Sequence, residues 1–124
     1  MILCKVSTEL EAVVNLEILN FQGVPQNLKV IVDTGCTGWL TLPVSVIANL
    51  GFSFEKFGRA TLADGSEIAF SIYEANLRWD GRTLKIRVDA VNSEPLLGMS
   101  LMQGCKLTVE DIVGGTVSIE RIGQ

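Results

Sequence analysis

The residues of this chain that could do chemistry are its carboxylates, because the chain contains no histidine. That absence excludes Ser-His-Asp and Cys-His nucleophile systems, together with every His-ligated metal site. Among the 14 Asp and Glu residues, Asp33 has a distinctive context, because it follows the apolar run Val-Ile-Val at residues 30–32 and precedes Thr-Gly. A carboxylate at the end of a buried strand is costly unless it is hydrogen-bonded or functional. Asp33 is therefore either an acid–base group or the side chain of an Asx turn that closes the strand.

Three segments, in order along the chain, carry a resemblance to a known family. In residues 30–43 an apolar strand runs into Asp-Thr-Gly, a small residue and a further extended apolar segment. A tight hairpin pattern follows at Ala63, Asp64 and Gly65, and residues 94–102 read Glu-Pro-Leu-Leu-Gly-Met-Ser-Leu-Met. These segments resemble the active-site strand, the flap tip and the apolar-apolar-Gly segment of the retropepsin-like aspartic proteases. The likeness extends over roughly residues 12–122 and is to the single-lobe, bacterial-type members of the clan.

The resemblance implies an aspartic endopeptidase acting on extended polypeptides. In this chemistry two carboxylates lie a hydrogen bond apart and share one proton, because like charges so close cannot both ionise. One carboxylate takes a proton from water while the other protonates the scissile carbonyl. By the resemblance, Asp33 is the catalytic group, Thr34 and Gly35 support the dyad, and the hairpin tip covers the substrate. Because water is the nucleophile, we expect neither a metal nor an organic cofactor.

A single chain supplies only one Asp-Thr-Gly motif. Asp64 and Asp80 stand in different local patterns, each followed by the glycine of a predicted turn. We therefore expect a homodimer whose active site lies on the two-fold axis, with each Asp33 facing its mate. One alternative is a catalytically inactive peptide-binding or assembly module on the same fold. Another is a plain β domain in which Asp33 only caps a turn.

The residue after Asp-Thr-Gly is Cys36, where the family usually has Ser or Ala. A thiol is a much weaker hydrogen-bond donor than a hydroxyl, so Cys36 leaves the pH optimum open. The other cysteines are Cys4 and Cys105, and the three form no C-x-x-C pair. An odd number at wide spacing indicates reduced thiols, as in a cytoplasmic protein, and disfavours a zinc site or a disulfide framework.

The composition indicates one folded domain over residues 1–124, with 48% apolar and 19% charged residues. A chain of this size buries roughly two-thirds of its unfolded surface, which is enough for one core. The net charge of −4 disfavours nucleic acid as a partner, because phosphate neutralisation needs clustered Lys and Arg. No basic segment precedes an apolar run at the N-terminus, and no apolar stretch approaches the ~18 residues of a membrane span. We therefore expect no membrane association and a cytoplasmic location.

The periodicity of the chain predicts an all-β fold, because short alternating segments rich in β-branched residues are separated by tight turns. With the resemblance, this predicts a retropepsin-like closed β-barrel with one or two short helices. The helix is predicted over residues 44–50, and a second helical turn over residues 98–104. Phe52, Phe54 and Phe57 are expected to cover the core beneath the helix. Strands are predicted over residues 11–19, 28–32, 39–42, 59–62, 66–72, 74–79, 83–91, 107–109 and 117–119.

Overall fold

The structure is a computed structural model that describes residues 1–123. These residues form ten strands and one short helix. The elements are β1 (Ile2–Val6), β2 (Ala12–Leu19), β3 (Pro25–Val32), β4 (Leu40–Leu42), α1 (Val44–Leu50), β5 (Ser53–Thr61), β6 (Glu67–Trp79), β7 (Arg82–Ala90), β8 (Leu96–Leu97), β9 (Cys105–Val109) and β10 (Thr116–Arg121).

All ten strands belong to one sheet, in the order β5-β6-β7-β4-β8-β3-β2-β1-β10-β9. A further antiparallel pairing between β2 and β6 joins the six strands from β6 to β2 into a ring. The two parallel pairings, β3 with β8 and β4 with β7, both lie in the middle of this order. The predicted all-β class with a short helix is confirmed.

The core lies on one face of the long strands, where alternate side chains point inward. Burial of these apolar side chains is the main stabilising contribution to a domain of this size. In β2, in β7 and in the second half of β6, the buried side chains recur at every second position. They are Val14, Leu16 and Ile18, then Ala75, Leu77 and Trp79, then Ile86, Val88 and Ala90.

Helix α1 follows the sequence signals at its two ends, and its predicted bounds are confirmed. Pro43 precedes it in an extended conformation, where the missing N–H of proline is not required. Gly51 ends it with a left-handed φ of 70°, and its N–H donates to Ile47 O at 2.9 Å. A left-handed residue after the last turn is the usual way in which glycine ends a helix. No helix within residues 1–123 has the length and hydrophobicity needed to cross a membrane.

Two expectations about packing are wrong. Residues 99–104 form consecutive turns instead of a second helix: the Gln103 and Cys105 N–H groups donate to Ser100 O and Met102 O, three residues back, and Gly104, with a φ of 80°, leads directly into β9. Phe54 and Phe57 do not cover the core: they are 50% and 72% exposed on β5, with ring centroids 5.0 Å apart. The reason is that β5 begins at Ser53, directly after the helix, and leads away from the core into a long hairpin. Phe52 does pack against the core.

Candidate active site

Asp33 lies immediately beyond the end of β3 and continues its ladder by one residue. The Asp33 N–H donates to Leu97 O at 2.9 Å, which extends the parallel pairing of β3 with β8. Because side chains alternate along a strand, Asp33 lies on the same face as Ile31. The carboxylate is half-buried, and its Oδ1 accepts a hydrogen bond from the Gly35 N–H at 2.9 Å. The Asx turn considered from the sequence is therefore present, and within residues 1–123 no hydrogen bond uses Oδ2.

The Asp33 loop, residues 33–39, is held in place by residues 98–100, which we call the Gly98 segment. The Gly98 N–H donates to Trp39 O at 3.0 Å, and the Met99 N–H donates to Cys36 O at 2.8 Å. Ser100 makes two more bonds to the loop, from its N–H to Gly38 O at 3.1 Å and from its hydroxyl to Thr37 O at 2.6 Å. The fold thus brings the Asp-Thr-Gly motif and the apolar-apolar-Gly motif together, and the apolar-apolar-Gly motif fixes the position of the Asp33 loop.

Glycine is required at position 98 because two backbones cross there. A Cβ built on Gly98 would lie 2.1 Å from Gly38 O and 3.1 Å from Cys36 O. Both neighbours are backbone atoms, so no side-chain rotation could relieve the contact. The apolar-apolar-Gly motif therefore has a steric cause in this chain, and the Asp33 loop depends on it.

Thr34 and Gly35, the predicted support of the dyad, are both exposed at the tip of the Asp33 loop. The Thr34 hydroxyl makes no hydrogen bond to another group in the described part of the chain. A Cβ at position 35 would lie 3.2 Å from Asp33 Oδ1, so a larger residue there would press on the carboxylate. The outer surface of the loop is therefore open to a second molecule.

The predicted flap residues Ala63, Asp64 and Gly65 lie at the tip of the β5–β6 hairpin, and all three are exposed. Asp64 Oδ1 accepts hydrogen bonds from the Ser66 hydroxyl at 2.5 Å and the Ser66 N–H at 2.9 Å. These two bonds hold the pKa of the Asp64 carboxyl below its usual value, and the bond from the Ser66 hydroxyl has the larger effect. Gly65 has a φ of 87°, which completes the tight turn. No hydrogen bond or salt bridge within residues 1–123 joins this tip to the Asp33 loop.

A single face of the central strands extends outward from Asp33, and we call it the Asp33 face. Ile31 pairs with Leu96, and Leu96 pairs with Thr41. Thr41 in turn pairs with Asp89 on β7. Residues directly opposite each other in a sheet project on the same side, so all these side chains share the face on which Asp33 stands.

The Asp33 face carries a polar group that sequence reasoning missed. Asp89 has a side chain only 13% exposed, and its Oδ1 accepts a hydrogen bond from Arg87 Nε at 2.9 Å. In the sequence, Asp89 reads as an ordinary solvent-facing position between the apolar residues Val88 and Ala90. Its burial depends on the loop at Gly38, where a Cβ would lie 3.2 Å from Asp89 Oδ2. No signal within β7 itself indicates that contact.

The Cys36 side chain is directed toward the floor of this face. Its Sγ lies 4.0 Å from the hydroxyl oxygen of Thr41, a side chain that is 6% exposed. No hydrogen bond joins the thiol to Asp33 within residues 1–123. Cys36 thus behaves within one chain as a small, half-buried residue next to Thr41. In the part of the chain that the structure describes, no group of three or more Cys, Asp or Glu side chains could hold a metal ion.

The fold was compared with those of known proteins. No protein-family model matches the chain, and no curated protein sequence matches it. Solved structures do match. One is a retropepsin-like aspartic protease from Rickettsia conorii, with a TM-score of 0.61 and 19% identity over 96% of this chain and 90% of that one. Another is EIAV protease complexed with the inhibitor HBY-793, with a TM-score of 0.54 and 20% identity over 77% of this chain and 88% of that one.

At this level of identity the likeness is informative about architecture. It covers nearly the whole chain in the Rickettsia structure. The fold of this chain is the fold of the retropepsin-like aspartic proteases.

Proposed function

We propose that this chain is the subunit of a homodimeric aspartic endopeptidase, with residues 1–124 as a single protease domain. The observation that carries the proposal is an exposed Asp-Thr-Gly loop, held rigidly at the end of β3 by the Gly98 segment, on a retropepsin-like fold. The structural likeness to proteases supports the general activity. The residue roles rest on the chemistry of the motif.

The dyad is formed by Asp33 from each subunit. With one proton between them, the charged carboxylate accepts a proton from a water molecule, and that water attacks the scissile carbonyl carbon. The protonated carboxyl donates to the carbonyl oxygen, giving a neutral tetrahedral diol. Collapse of the diol transfers a proton to the leaving nitrogen and restores the shared proton. Thr34 hydrogen-bonds across the two-fold axis to the other loop, and Gly35 allows the two loops to approach.

Dimerisation is a requirement of this chemistry, because one chain has one such motif. Asp64 and Asp80 cannot supply the second carboxylate, since each is used in a hairpin turn at the sheet periphery. The substrate lies as an extended segment between the dyad and the β5–β6 hairpin, pairing with the backbone while alternate side chains enter pockets. The Ala63–Gly65 tip covers it. The three unpaired cysteines support the expectation of a reducing compartment such as the cytoplasm.

The test compares the wild-type protein with Asp33→Asn on a library of unstructured peptides. Asn nearly preserves the size of the side chain and the hydrogen bond from Gly35, but it cannot accept a proton from water. We expect hydrolysis to fall by at least about 10²–10⁴-fold, and wild-type activity to be bell-shaped between about pH 3 and about pH 8. The acid limb reports loss of the shared charge, and the alkaline limb reports loss of the shared proton.

Sedimentation at micromolar concentration is the accompanying measurement. Both proteins should be dimers with the same circular dichroism spectrum. Equal hydrolysis by the two proteins would show that Asp33 is only a turn residue. If the wild type and Asp33→Asn are both dimeric and neither cleaves any peptide, the inactive peptide-binding module is favoured. A wild-type protein that stays monomeric with a peptide inhibitor present would exclude the shared dyad.

A further inference from the structure

A carboxylate other than Asp33 lies on the Asp33 face, at a position where substrate side chains would pass. The row of paired residues from Ile31 to Asp89 spans three strand spacings, or roughly 14 Å at about 4.8 Å each. Asp33 lies two residues beyond Ile31, or about 6.6 Å along the strand, so the two carboxylates are roughly 16 Å apart across the sheet. Extended peptide advances about 3.3 Å per residue. A long side chain two or three residues from the scissile bond therefore reaches Asp89.

One oxygen of Asp89 is occupied and the other is available. Arg87 Nε donates to Oδ1 at 2.9 Å. Within residues 1–123 no hydrogen bond is made to Oδ2, and Oδ2 is not sealed from solvent. Lys56, on the same face by its pairing with Ile72, forms no salt bridge with Asp89 in the described part of the chain. Because the side chain is only 13% exposed, water reaches this carboxylate over a small area, and a positively charged donor at Oδ2 would add a charge-assisted hydrogen bond.

Small groups lie next to Oδ2 on the loop side. Gly38 has no side chain, and a Cβ there would lie 3.2 Å from Oδ2 and 3.7 Å from Cys36 Sγ. Thr41, also a small residue, pairs with Asp89 on the neighbouring strand, and its hydroxyl oxygen lies 4.0 Å from Cys36 Sγ. Neither position 38 nor position 41 therefore carries a bulky side chain that would keep the end of a long, hydrogen-bond-donating group from Oδ2.

We propose that Asp89 is a specificity-determining residue of the cleft, which accepts a hydrogen bond from a basic side chain, Lys or Arg, of the bound polypeptide. This inference rests on the proposed peptidase function, because it assumes that a polypeptide occupies the Asp33 face. Arg87 holds the carboxylate in position and partly neutralises it. The net charge of −4 per chain favours the approach of basic peptides in the same sense.

The test uses a set of unstructured peptides in which each position in turn carries Lys, Met or Glu. Dissociation constants are measured on Asp33→Asn protein, which keeps the peptides intact, with and without Asp89→Asn. Values of kcat/KM are measured for the wild type and for Asp89→Asn with Asp33 in place. Asp111→Asn is the matched control, since it removes one exposed carboxylate outside the Asp33 face.

We expect Lys to be preferred over Met at one or two positions by about 10–100-fold, as a charge-assisted hydrogen bond allows. Asp89→Asn should abolish that preference, Asp89→Glu should retain part of it, and Asp111→Asn should leave it unchanged. Arg87→Gln should increase the preference, because the substrate cation is then the only partner of Asp89. A purely structural ion pair would instead give the same loss in the Arg87 and Asp89 variants.

The inference is overturned if no position prefers Lys, if the preference survives Asp89→Asn, or if Arg87→Gln and Asp89→Asn change it alike. Should Asp89→Asn fail to fold, Asp89→Glu and Arg87→Gln decide the matter by opposite shifts. An Asp89-dependent preference in binding without any hydrolysis would refute the peptidase and leave the specificity residue standing. Hydrolysis without an Asp89-dependent preference would support the peptidase and refute the role of Asp89 in specificity.

Discussion

Replacing Gly98 by Ala is the sharpest test of how this fold holds its Asp-Thr-Gly loop. The added Cβ would lie 2.1 Å from Gly38 O and 2.8 Å from Gly38 C. Real Cβ atoms essentially never approach closer than 3.0 Å, so the two backbones must separate by about 0.9 Å. The separation acts directly on the loop that carries Asp33.

The expected cost follows from the bonds at this crossing. Overpacking of a well-packed site costs about 1–3 kcal/mol. Three backbone hydrogen bonds join the Gly98 segment to the Asp33 loop, and loss of one or two of them adds about 1 kcal/mol each. We therefore expect Gly98→Ala to lower the free energy of unfolding by about 2–5 kcal/mol, a large part of the 5–15 kcal/mol typical of a domain. A displacement of the loop by about 1 Å should also lower kcat by about 10²-fold.

Urea unfolding measures the effect, and Gly38→Ala is the matched control. That variant makes the same chemical change within the same loop, but its Cβ meets only side-chain atoms, with Asp89 Oδ2 at 3.2 Å the nearest. Both substitutions restrict the unfolded chain equally, so their difference reports the backbone clash. We expect a difference in midpoint of about 2 M urea. Equal midpoints, or a Gly98→Ala midpoint close to that of the wild type, would refute the steric reasoning.

Two predictions concern the pH dependence of exposed turns. Ser66→Ala should raise the pKa of Asp64 toward the ordinary value of an aspartate, because the Ser66 hydroxyl is the largest cause of its lowering; NMR titration of the Asp64 carboxyl measures this, and an unchanged pKa would contradict it. Hydrogen bonds from Thr116 lower the pKa of Glu110 from its usual 4.5, and the bond from the backbone N–H has the largest effect. Since the folded-state pKa lies below the unfolded one, this stabilisation is complete above the unfolded pKa and is lost as the pH falls through the folded pKa. The protection factor of the Thr116 amide, which is its intrinsic exchange rate divided by its measured rate at each pH, should therefore fall in acid in the wild type and be insensitive to that change in Glu110→Gln, whereas the same acid dependence in both proteins would exclude Glu110 as its source.

Much of the fold is determined by local sequence. Alternation in β2, β6 and β7 places every second side chain in the core, and the pattern is already present in the sequence. The turn at Asp80-Gly81 is predicted by its residues, because positive φ values at both positions select such residues. These features depend on neighbours within a few residues. The same is true of Asp33, whose position at the end of an apolar strand is visible without any tertiary contact.

The boundaries of the secondary-structure elements and the packing partners of side chains are harder to predict from the sequence. The sequence pattern of residues 98–104 is compatible with a helical turn, but the hydrogen bonds there run three residues back, from Gln103 to Ser100 and from Cys105 to Met102, and the pairing of β9 with β10 ends the turns at Cys105. Phe57 is a large apolar residue of the kind usually found in a core, yet the hairpin that carries it leads away from the core, and 72% of the residue is exposed to solvent.

The features of the candidate site also fall into those set by local sequence and those set by tertiary contacts. The type and order of its motifs, including Asp33, Thr34 and Gly35, were contained in the sequence, because each motif is a short segment whose chemistry is local. The burial of Asp89 and the requirement for glycine at position 98 were not, because each depends on the loop at Gly38, about 50 or 60 residues away along the chain. Only the pairing of distant strands brings those backbones within contact distance, and a single sequence carries no record of which strands pair.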